Sequence, residues 1–352
     1  MFTAAQLAKR PLFLLVVVFS FFLILFLSAC QNGPADGSGP IATKPGVGSG
    51  PGGAWDGGSG GPGGGPGDGS DGGYDDDYDG GSNHCAALSS FDVQATSESV
   101  QIPNGPKVAV WVPSGVSHAS SCSFPLLLFS HGLGSCGTSY SGLTQAFANA
   151  GFIVVAPDHA DCKTGIDLGQ ILTNPDSWTD ANYANRRDDM RKALDWATSQ
   201  AWFASAVDTS RIGAMGHSLG GYTSLGLAGA WPSWYDPRIK AVLAMAPHVA
   251  PYLADREIAN VRVPIMFQGA TGDFLITPFL TGSNGGFALA TAEKYLVMLN
   301  GGSHSSWATS SGTEAQLIRD YGIAFFRKHL LGENPARLKS KDPALSDYQY
   351  VP

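Results

Sequence analysis

The stretch "RIGAMGHSLGGY", residues 211–222, decides which fold this sequence can adopt. Glycines stand two positions before and two positions after Ser218, in the pattern Gly-x-Ser-x-Gly. A serine that turns sharply out of a strand needs small neighbours, because side chains at Gly216 and Gly220 would block the turn. The residues before the pattern suit a strand, and the small residues after it suit a helix. We therefore predict a strand, a sharp turn at Ser218 and a helix.

Short apolar runs alternate with helical patterns through the rest of the chain. The strand-like runs are "KVAVWV", "PLLLFS", "FIVVAP", "RIGAMG", "KAVLAMAP", "VPIMFQG" and "KYLVMLN". Helices are predicted near residues 140–150, 181–200, 219–230 and 313–331. Continuous apolar runs suit strands that are buried on both faces. This alternation predicts an α/β fold, with a mostly parallel sheet and helices on both of its faces.

Composition divides the chain into three regions. Residues 1–30 combine a short basic start with a long apolar run, which is typical of a signal peptide. Residues 31–83 are mostly Gly, Pro, Ser and Asp and predict a disordered linker. Residues 84–352 have the length of one folded domain. The linker also contains a match to Gly-x-Ser-x-Gly, in "GGSGG". The pattern therefore indicates a nucleophile only at Ser218, where it lies between a predicted strand and a predicted helix.

The apolar segment ends in "LSAC", residues 27–30, which resembles the lipobox of bacterial lipoproteins. The resemblance implies that Cys30 carries a lipid and becomes the mature N-terminus. The protein is then expected in the bacterial cell envelope, facing outside the cytoplasm and anchored to a membrane. Gln31 resembles the signal for the outer membrane, where one is present. The alternative is an uncleaved membrane-spanning anchor over residues 11–29.

The formal net charge of −8 comes mainly from the linker, which holds eight aspartates. The remaining chain is nearly neutral and has no basic patch, so nucleic acid is not an expected partner. The cluster "DGGYDDDYDG" offers oxygen ligands for Ca²⁺, but its spacing departs from that of an EF-hand loop. A solvated, self-repelling tether is the preferred interpretation.

Two residues after other strands complete a candidate catalytic site with Ser218. A serine hydroxyl needs a base within hydrogen-bond reach, and the base needs an acid to orient it. His304 in "NGGSHSSW" and Asp273 in "GATGDFLITP" each follow a predicted strand. Because the carboxyl ends of parallel strands meet at one edge of the sheet, we expect these three side chains to converge. Less favoured candidates are the acids Asp158 and Asp255 and the histidines His131, His159, His217 and His248.

Two backbone N–H groups are candidates for an oxyanion hole, which stabilises the charge that develops on a carbonyl oxygen. The N–H of Leu219 directly follows the nucleophile. The second is expected from Leu133 in "HGLG", in the loop after "PLLLFS".

Longer segments carry a family resemblance. "PLLLFSHGLGS", "AFANAGFIVVAPDHAD", "RRDDMRKALDWA" and "VDTSRIGAMGHSLGGYTSL" resemble α/β-hydrolases described as platelet-activating-factor acetylhydrolase-like or predicted dienelactone hydrolases. "VPIMFQGATGD" and "GGSHSSW" are also similar to cutinase-type polyester hydrolases. The resemblance implies an eight-stranded sheet. No long insertion interrupts residues 247–263, where related hydrolases often carry a helical cap, so no large cap domain is expected. The resemblance further implies hydrolysis of carboxylic esters through an acyl-enzyme, without a metal or organic cofactor.

The resemblance leaves the substrate open. Leu133 stands where the polyester hydrolases carry an aromatic residue, and "APHVAPYL" stands where they carry Pro-Trp. We expect Leu133, His248 and Tyr252 to contact the substrate, which would be a small ester, a lipid or a polyester. The expected protein is a monomer that also contacts the membrane through the lipid on Cys30. Alternative functions are a non-catalytic surface binding protein on the same fold, a peptidase or a thioesterase.

Four cysteines remain besides Cys30, an even number that suits an oxidising compartment. From the sequence alone they allow three pairings, and the absence of a Cys-x-x-Cys pair disfavours zinc. In the sheet order that the family resemblance implies, the strands that end at Ser130 and Pro157 are neighbours. That order implies a disulfide between Cys136 and Cys162, and therefore another between Cys85 and Cys122.

Overall fold

The computed structural model describes residues 96–113, 123–162 and 174–352. The predicted signal peptide, the linker and the lipidation site Cys30 lie outside these residues. The same holds for Cys85 and Cys122, so their disulfide stays a prediction. Within the described residues, none of the helices has the length and apolar character that crossing a bilayer requires.

One mixed sheet of nine strands organises the described residues. The strands are β1 (Thr96–Gln101), β2 (Lys107–Val112), β3 (Phe124–Ser130), β4 (Ile153–Pro157), β5 (Val207–His217), β6 (Ile239–Met245), β7 (Ile265–Ala270), β8 (Lys294–Leu299) and β9 (Leu345–Val351). Their spatial order is β1-β2-β4-β3-β5-β6-β7-β8-β9. The six central strands, β3 to β8, run parallel. β1, β2 and β9 pair antiparallel at the two edges.

The expectation of eight strands is corrected to nine by this sheet. The apolar runs in the sequence identify β2 to β8, but the outermost strands read "TSESVQ" and "LSDYQYV". An edge strand needs only backbone pairing on one side, so its side chains can be polar and exposed. A search for continuous apolar runs therefore misses both edges.

Six helices connect and cover the strands in the described residues: α1 (Ser141–Asn149), α2 (Ala184–Ser199), α3 (Leu219–Leu227), α4 (Thr277–Leu280), α5 (Gly286–Leu289) and α6 (Gly312–Leu331). Alternate residues of β3 enter two different apolar clusters, Leu126 and Leu128 one of them and Leu127 and Phe129 the other. The first cluster contains residues of α2 and α3, and the second contains residues of α1 and α6. The sheet thus lies between two helical layers, as the sequence predicts.

The parallel strands bring the loops that follow them to one edge of the sheet. The connection from β6 to β7 contains the short 3-10 helices Ala250–Tyr252 and Glu257–Asn260 and no cap domain. Cys136, after β3, forms a disulfide with Cys162, after β4. This is the pairing that the predicted sheet order implies, because β3 and β4 are neighbours.

Candidate active site

Ser218 is the single residue between the end of β5 and the start of α3. Ser218 has φ 56° and ψ −118°, a backbone conformation that a residue with a side chain rarely adopts. Three backbone hydrogen bonds hold it: the Ser218 N–H donates to Met245 O at 2.9 Å, and Ser218 O accepts the N–H groups of His248 at 3.0 Å and Tyr222 at 3.2 Å. A Cβ on Gly216 would strike the backbone of Gly220. The two glycines are therefore required because backbone passes directly against backbone.

A continuous chain of hydrogen bonds joins Ser218, His304 and Asp273. The distance from His304 Nε2 to Ser218 Oγ is 2.8 Å, and that from His304 Nδ1 to Asp273 Oδ2 is also 2.8 Å. An ionised carboxylate only accepts hydrogen bonds, so it selects the tautomer with the proton on Nδ1. Nε2 is then an acceptor for the Ser218 hydroxyl. This arrangement can remove the hydroxyl proton as the oxygen attacks a carbonyl carbon.

The acid of this chain is more shielded than the base. The Asp273 side chain is 1% exposed and that of His304 is 15% exposed, so solvent and substrate reach the imidazole but not the carboxylate. Asp273 Oδ1 accepts the N–H groups of Leu275 at 3.3 Å and Ile276 at 3.2 Å. Both carboxylate oxygens thus have donors, which fixes the plane of the carboxylate beside His304.

The loops that carry the acid and the base are bonded to each other. The Gly301 N–H donates to Thr271 Oγ1 at 2.8 Å, and Gly301 O accepts the Gly272 N–H at 3.0 Å. Gly301 and Gly302 have φ of 81° and 67°, which the glycines of "NGGSH" permit without strain. Asp273 and His304 therefore approach the serine as one connected unit.

His217, inside the serine motif, lies behind the imidazole of His304. Its ring centroid is 4.7 Å from that of His304 and 5.5 Å from that of Trp307, on which it stacks. The Tyr140 hydroxyl pairs with His217 Nδ1 at 2.7 Å. Burial, together with the charge of His304, lowers the pKa of His217 well below its ordinary value. A neutral aromatic ring therefore supports His304 from the protein side.

The two predicted oxyanion donors lie on either side of this turn. A Cβ on Gly132 would be 3.6 Å from Ser218 Cβ, so the "HGLG" loop lies against the turn. Among the described residues, neither the Leu133 N–H nor the Leu219 N–H donates to an acceptor within the protein. Both groups are therefore available to an oxygen atom of a bound substrate.

A second Ser-His-Asp chain is buried beneath the site. His159 Nε2 is 2.9 Å from Ser130 Oγ, and His159 Nδ1 is 3.0 Å from Asp189 Oδ2. Ser130 is 0% exposed, so no substrate reaches its hydroxyl. The same types of residue thus occur twice, and only the chain at Ser218 can meet a substrate. Neither Ser130 nor Asp189 was singled out in the sequence, because nothing local distinguishes them.

The remaining candidate acids lie elsewhere. Asp158 accepts the Gly137 N–H at 2.8 Å and so fixes the start of a 3-10 helix, Gly137–Tyr140. Asp255 is exposed on the connection from β6 to β7. The described residues contain one cluster whose atoms are spaced for a metal ion, formed by Cys136, Asp158 and Cys162. Its two sulfur atoms are joined in the disulfide, which removes the thiolates that a metal would need.

The expected substrate contact by Tyr252 is corrected by the structure. Tyr252 is 0% exposed, its ring stacks on that of Tyr222, and its hydroxyl donates to Tyr222 O at 2.9 Å. The 3-10 helix on which it lies turns the ring into the core. His248 stays partly exposed, with the Trp178 ring centroid at 5.0 Å. Trp178, which the sequence analysis missed, is therefore the aromatic neighbour of His248.

Comparison with known proteins identifies relatives of this chain. The model of the family described as PETase, PET hydrolase-like, matches residues 120–338. The chain is 27% identical over 224 residues to bis(hydroxyethyl) terephthalate hydrolase of Streptomyces coelicolor, which is 63% of this chain and 61% of that protein. It is 28% identical over 194 residues to cutinase 2 of Thermobifida cellulosilytica, covering 54% of this chain and 62% of that protein. The chain thus spans about three fifths of each relative's length.

A more distant relative is platelet-activating factor acetylhydrolase of Gallus gallus, 26% identical over 187 residues, 41% of this chain and 43% of that protein. Together with the family match, the sheet and its two helical layers are the α/β-hydrolase fold predicted from the sequence. The sheet of the described residues has nine strands in place of the eight expected.

The buried histidines predict that stability falls in acid. Burial lowers the pKa of His131 to about 3, with Arg186 adding to the effect, and burial likewise lowers the pKa values of His159 and His217. In the unfolded chain each imidazole takes up a proton below about pH 6.5, so protons favour the unfolded state. The protonation of His131 alone then lowers the free energy of unfolding by about 2 kcal/mol between pH 7 and pH 5.

Asp189 opposes this trend, because burial raises its pKa to about 6 and the folded state keeps a proton that the unfolded state releases. Three histidines outweigh one carboxyl, so we expect a net decrease in unfolding free energy between pH 7 and pH 5. Urea titrations at the two pH values measure it, and recovery on return to pH 7 separates titration from irreversible damage. An unfolding free energy that is equal or higher at pH 5 contradicts the prediction.

Proposed function

The chain belongs to the PET hydrolase-like family, and from the geometry of its site we propose that it hydrolyses carboxylic esters through an acyl-enzyme. The observation that carries the proposal is the hydrogen-bond chain from Ser218 through His304 to Asp273, with 2.8 Å at each step. The names of two relatives, a hydrolase of bis(hydroxyethyl) terephthalate and a cutinase, agree with ester hydrolysis.

The reaction begins when Ser218 Oγ attacks the ester carbonyl carbon and His304 Nε2 takes the hydroxyl proton. Asp273 accepts the His304 Nδ1–H throughout and stabilises the imidazolium that forms. The carbonyl oxygen becomes an anion and accepts the N–H groups of Leu133 and Leu219. His304 then protonates the leaving alcohol. Water then attacks the carbonyl carbon of the acyl-enzyme with His304 again as the base. His304 returns the proton to Ser218 Oγ, and the carboxylic acid leaves.

The surface beside the site favours apolar esters. Phe274 directly follows the acid Asp273 and is 80% exposed, the most exposed of the large apolar side chains in the described residues. Leu133, at the oxyanion loop, is partly buried and packs against the apolar core. No cap domain covers the site from the connection between β6 and β7. We therefore propose substrates with extended apolar acyl or alcohol groups, including polyester chains and esters presented at a surface.

We also propose that a lipid tethers the enzyme to a membrane in the cell envelope. The support is the sequence "LSAC" at residues 27–30 and the long Gly-rich segment that follows it. A flexible linker of this length has a root-mean-square reach of about 40 Å. The catalytic domain would then act as a monomer on substrates close to the membrane surface.

Replacing the nucleophile tests the proposed activity. In Ser218→Ala the attacking oxygen is gone, so we expect the turnover of p-nitrophenyl esters to fall by about 10⁴-fold or more. Ser210→Ala, at the exposed opposite end of β5, is the matched control and should keep the wild-type rate. A series of acyl lengths, with the amide and thioester of the best acyl group, ranks ester against peptidase and thioesterase activity. Equal turnover by Ser218→Ala and wild type refutes the proposal.

Replacing Phe274 tests the apolar-substrate proposal. Phe274→Ser removes apolar contact outside the hydrogen-bond chain. We expect about thirtyfold slower hydrolysis of an insoluble polyester film, since burying a phenylalanine side chain is worth about 2 kcal/mol. Hydrolysis of soluble p-nitrophenyl acetate should change by less than about twofold, because an acetyl group offers little apolar surface for this side chain to bury. Equal losses on both substrates, or none on the film, contradict the proposal.

Replacing Cys30 tests the tether. Cys30→Ser removes the only group that the lipobox reaction can lipidate, so the protein should move from the membrane fraction to the soluble fraction of its bacterial host. Radiolabelled palmitate should enter the wild-type chain and not the variant, and Cys136→Ser serves as a control that keeps its label. A variant that stays in the membrane fraction favours an uncleaved spanning anchor instead.

A further inference from the structure

We define the oxyanion loop as residues 131–134. One backbone donor in this loop, the Leu133 N–H, differs from its neighbours in its hydrogen bonding. The His131 carbonyl accepts Arg186 Nη1–H at 2.7 Å, and the Gly132 N–H donates to the Tyr140 hydroxyl at 3.3 Å. The Gly134 N–H donates to Asp161 Oδ2 at 2.9 Å. The neighbouring peptide groups thus have partners in the protein, while the Leu133 N–H between them has none among the described residues.

The direction of the Leu133 N–H is set by the oxygen of the same peptide group. In a trans peptide the C=O and N–H point in opposite directions. The Gly132 carbonyl accepts His131 Nδ1–H at 2.7 Å and the Ser135 N–H at 3.2 Å, and Arg186 Nη2 is 3.5 Å away. Donors that gather around the Gly132 oxygen therefore turn the Leu133 N–H the other way.

His131 can donate only from Nδ1. Its Nε2 accepts the backbone N–H of His159 at 3.0 Å, so in the neutral ring the proton must be on Nδ1. Burial, with the charge of Arg186 as the next cause, lowers the pKa of His131 to about 3 and keeps the ring neutral. The tautomer that orients the Gly132 carbonyl is thus fixed by its surroundings.

Arg186 is the residue that joins these contacts. It lies on α2, is 0% exposed, and forms an ion pair with Asp161 at 2.7 Å. Its Nη1 and Nη2 donate hydrogen bonds to Asp161, to Ser130 and to the carbonyls of the oxyanion loop. Its Nε has no partner in the described part of the chain. Burying a charged group costs several kcal/mol, and an apolar side chain would fill the same space at lower cost. Packing alone does not explain an arginine here.

We propose that Arg186 is a positioning residue for the oxyanion hole, holding the oxyanion loop with Asp161 so that the Leu133 N–H faces the oxygen of the carbonyl group whose carbon Ser218 attacks. The inference rests on the proposed esterase function. Arg186 is buried behind the loop and touches no substrate. It acts through the two peptide groups that precede Leu133 and, by way of Asp161, through the one that follows.

The test compares Arg186→Met, which fills the space without hydrogen bonds, with Arg186→Lys, which keeps the charge but loses the planar fork. Loss of one oxyanion donor costs about 10² to 10³ in kcat, so we expect about a 10²-fold decrease in Arg186→Met and about 10-fold in Arg186→Lys. KM should change by less than about threefold, because the donor acts mainly on the developing anion. Arg191→Met is the matched control.

Arg191 lies on the same helix and also donates to a backbone carbonyl, that of Trp234 at 2.9 Å, but on a different loop. Its variant should keep the wild-type kcat even where its melting temperature falls. Each assay is run well below the melting temperature of the variant. If Arg186→Met does not fold, Arg186→Lys and Asp161→Ala decide the outcome, since the Asp161 side chain is partly exposed and tolerates replacement better.

A second measurement uses an alkyl trifluoromethyl ketone of the preferred acyl length. Ser218 Oγ adds to its carbonyl carbon, His304 takes the hydroxyl proton, and the carbonyl oxygen becomes the anion. The inhibition constant should rise in parallel with the loss in kcat, whereas a general loosening of the fold would not produce this proportion. Values of kcat and inhibition constant within about threefold of wild type, in folded Arg186 variants, overturn the proposal. Equal activity of wild type and Ser218→Ala would instead refute the esterase function on which it rests.

Discussion

The site depends on stretches of backbone that pass directly against each other. Any Cβ on Gly220 would overlap the carbonyl of Ser130 at the end of β3, and one on Gly216 would overlap the backbone of Gly220. The first turn of α3 is thereby pressed against the ends of β3 and β5. This contact places Ser218 and the oxyanion loop next to each other, and the unusual φ of Ser218 is sustained by the hydrogen bonds that cross the turn.

Buried polar groups concentrate below the oxyanion loop. His131 in the loop and His159 and Arg186 below it are almost fully buried, and each has a hydrogen bond to the loop or to the strand before it. His159 and Arg186 also pair with Asp189 and Asp161. Such groups are costly to bury and contribute little net stability compared with apolar packing. They do, however, fix directions, which apolar contacts cannot. The disulfide between Cys136 and Cys162 adds a covalent link between the loop after β3 and the loop after β4.

The three residues of the hydrogen-bond chain were predictable because the rule that places them is simple. Ser218, Asp273 and His304 each follow a strand of a parallel sheet, and the carboxyl ends of such strands share one edge. Tyr252 was mispredicted because the residue spacing on a short 3-10 helix does not reveal which side faces the core. Arg186 was missed because its partners lie some 25 to 55 positions away in sequence, and a helical pattern shows no distinction between it and its neighbours. The edge strands were missed because polar sequences can pair through backbone alone.

The site is built from two units that meet at the Ser218 hydroxyl. One is the rigid turn with its oxyanion loop, held by contact between backbones and by buried polar groups. The other contains Asp273 and His304, whose loops are joined through Thr271 and Gly301. His217 belongs to the first unit by sequence but supports His304, with their ring centroids 4.7 Å apart. A displacement of either unit would therefore change both the hydrogen bond at Ser218 and the packing of the two imidazoles, so Ser218 and His304 are aligned by one interface.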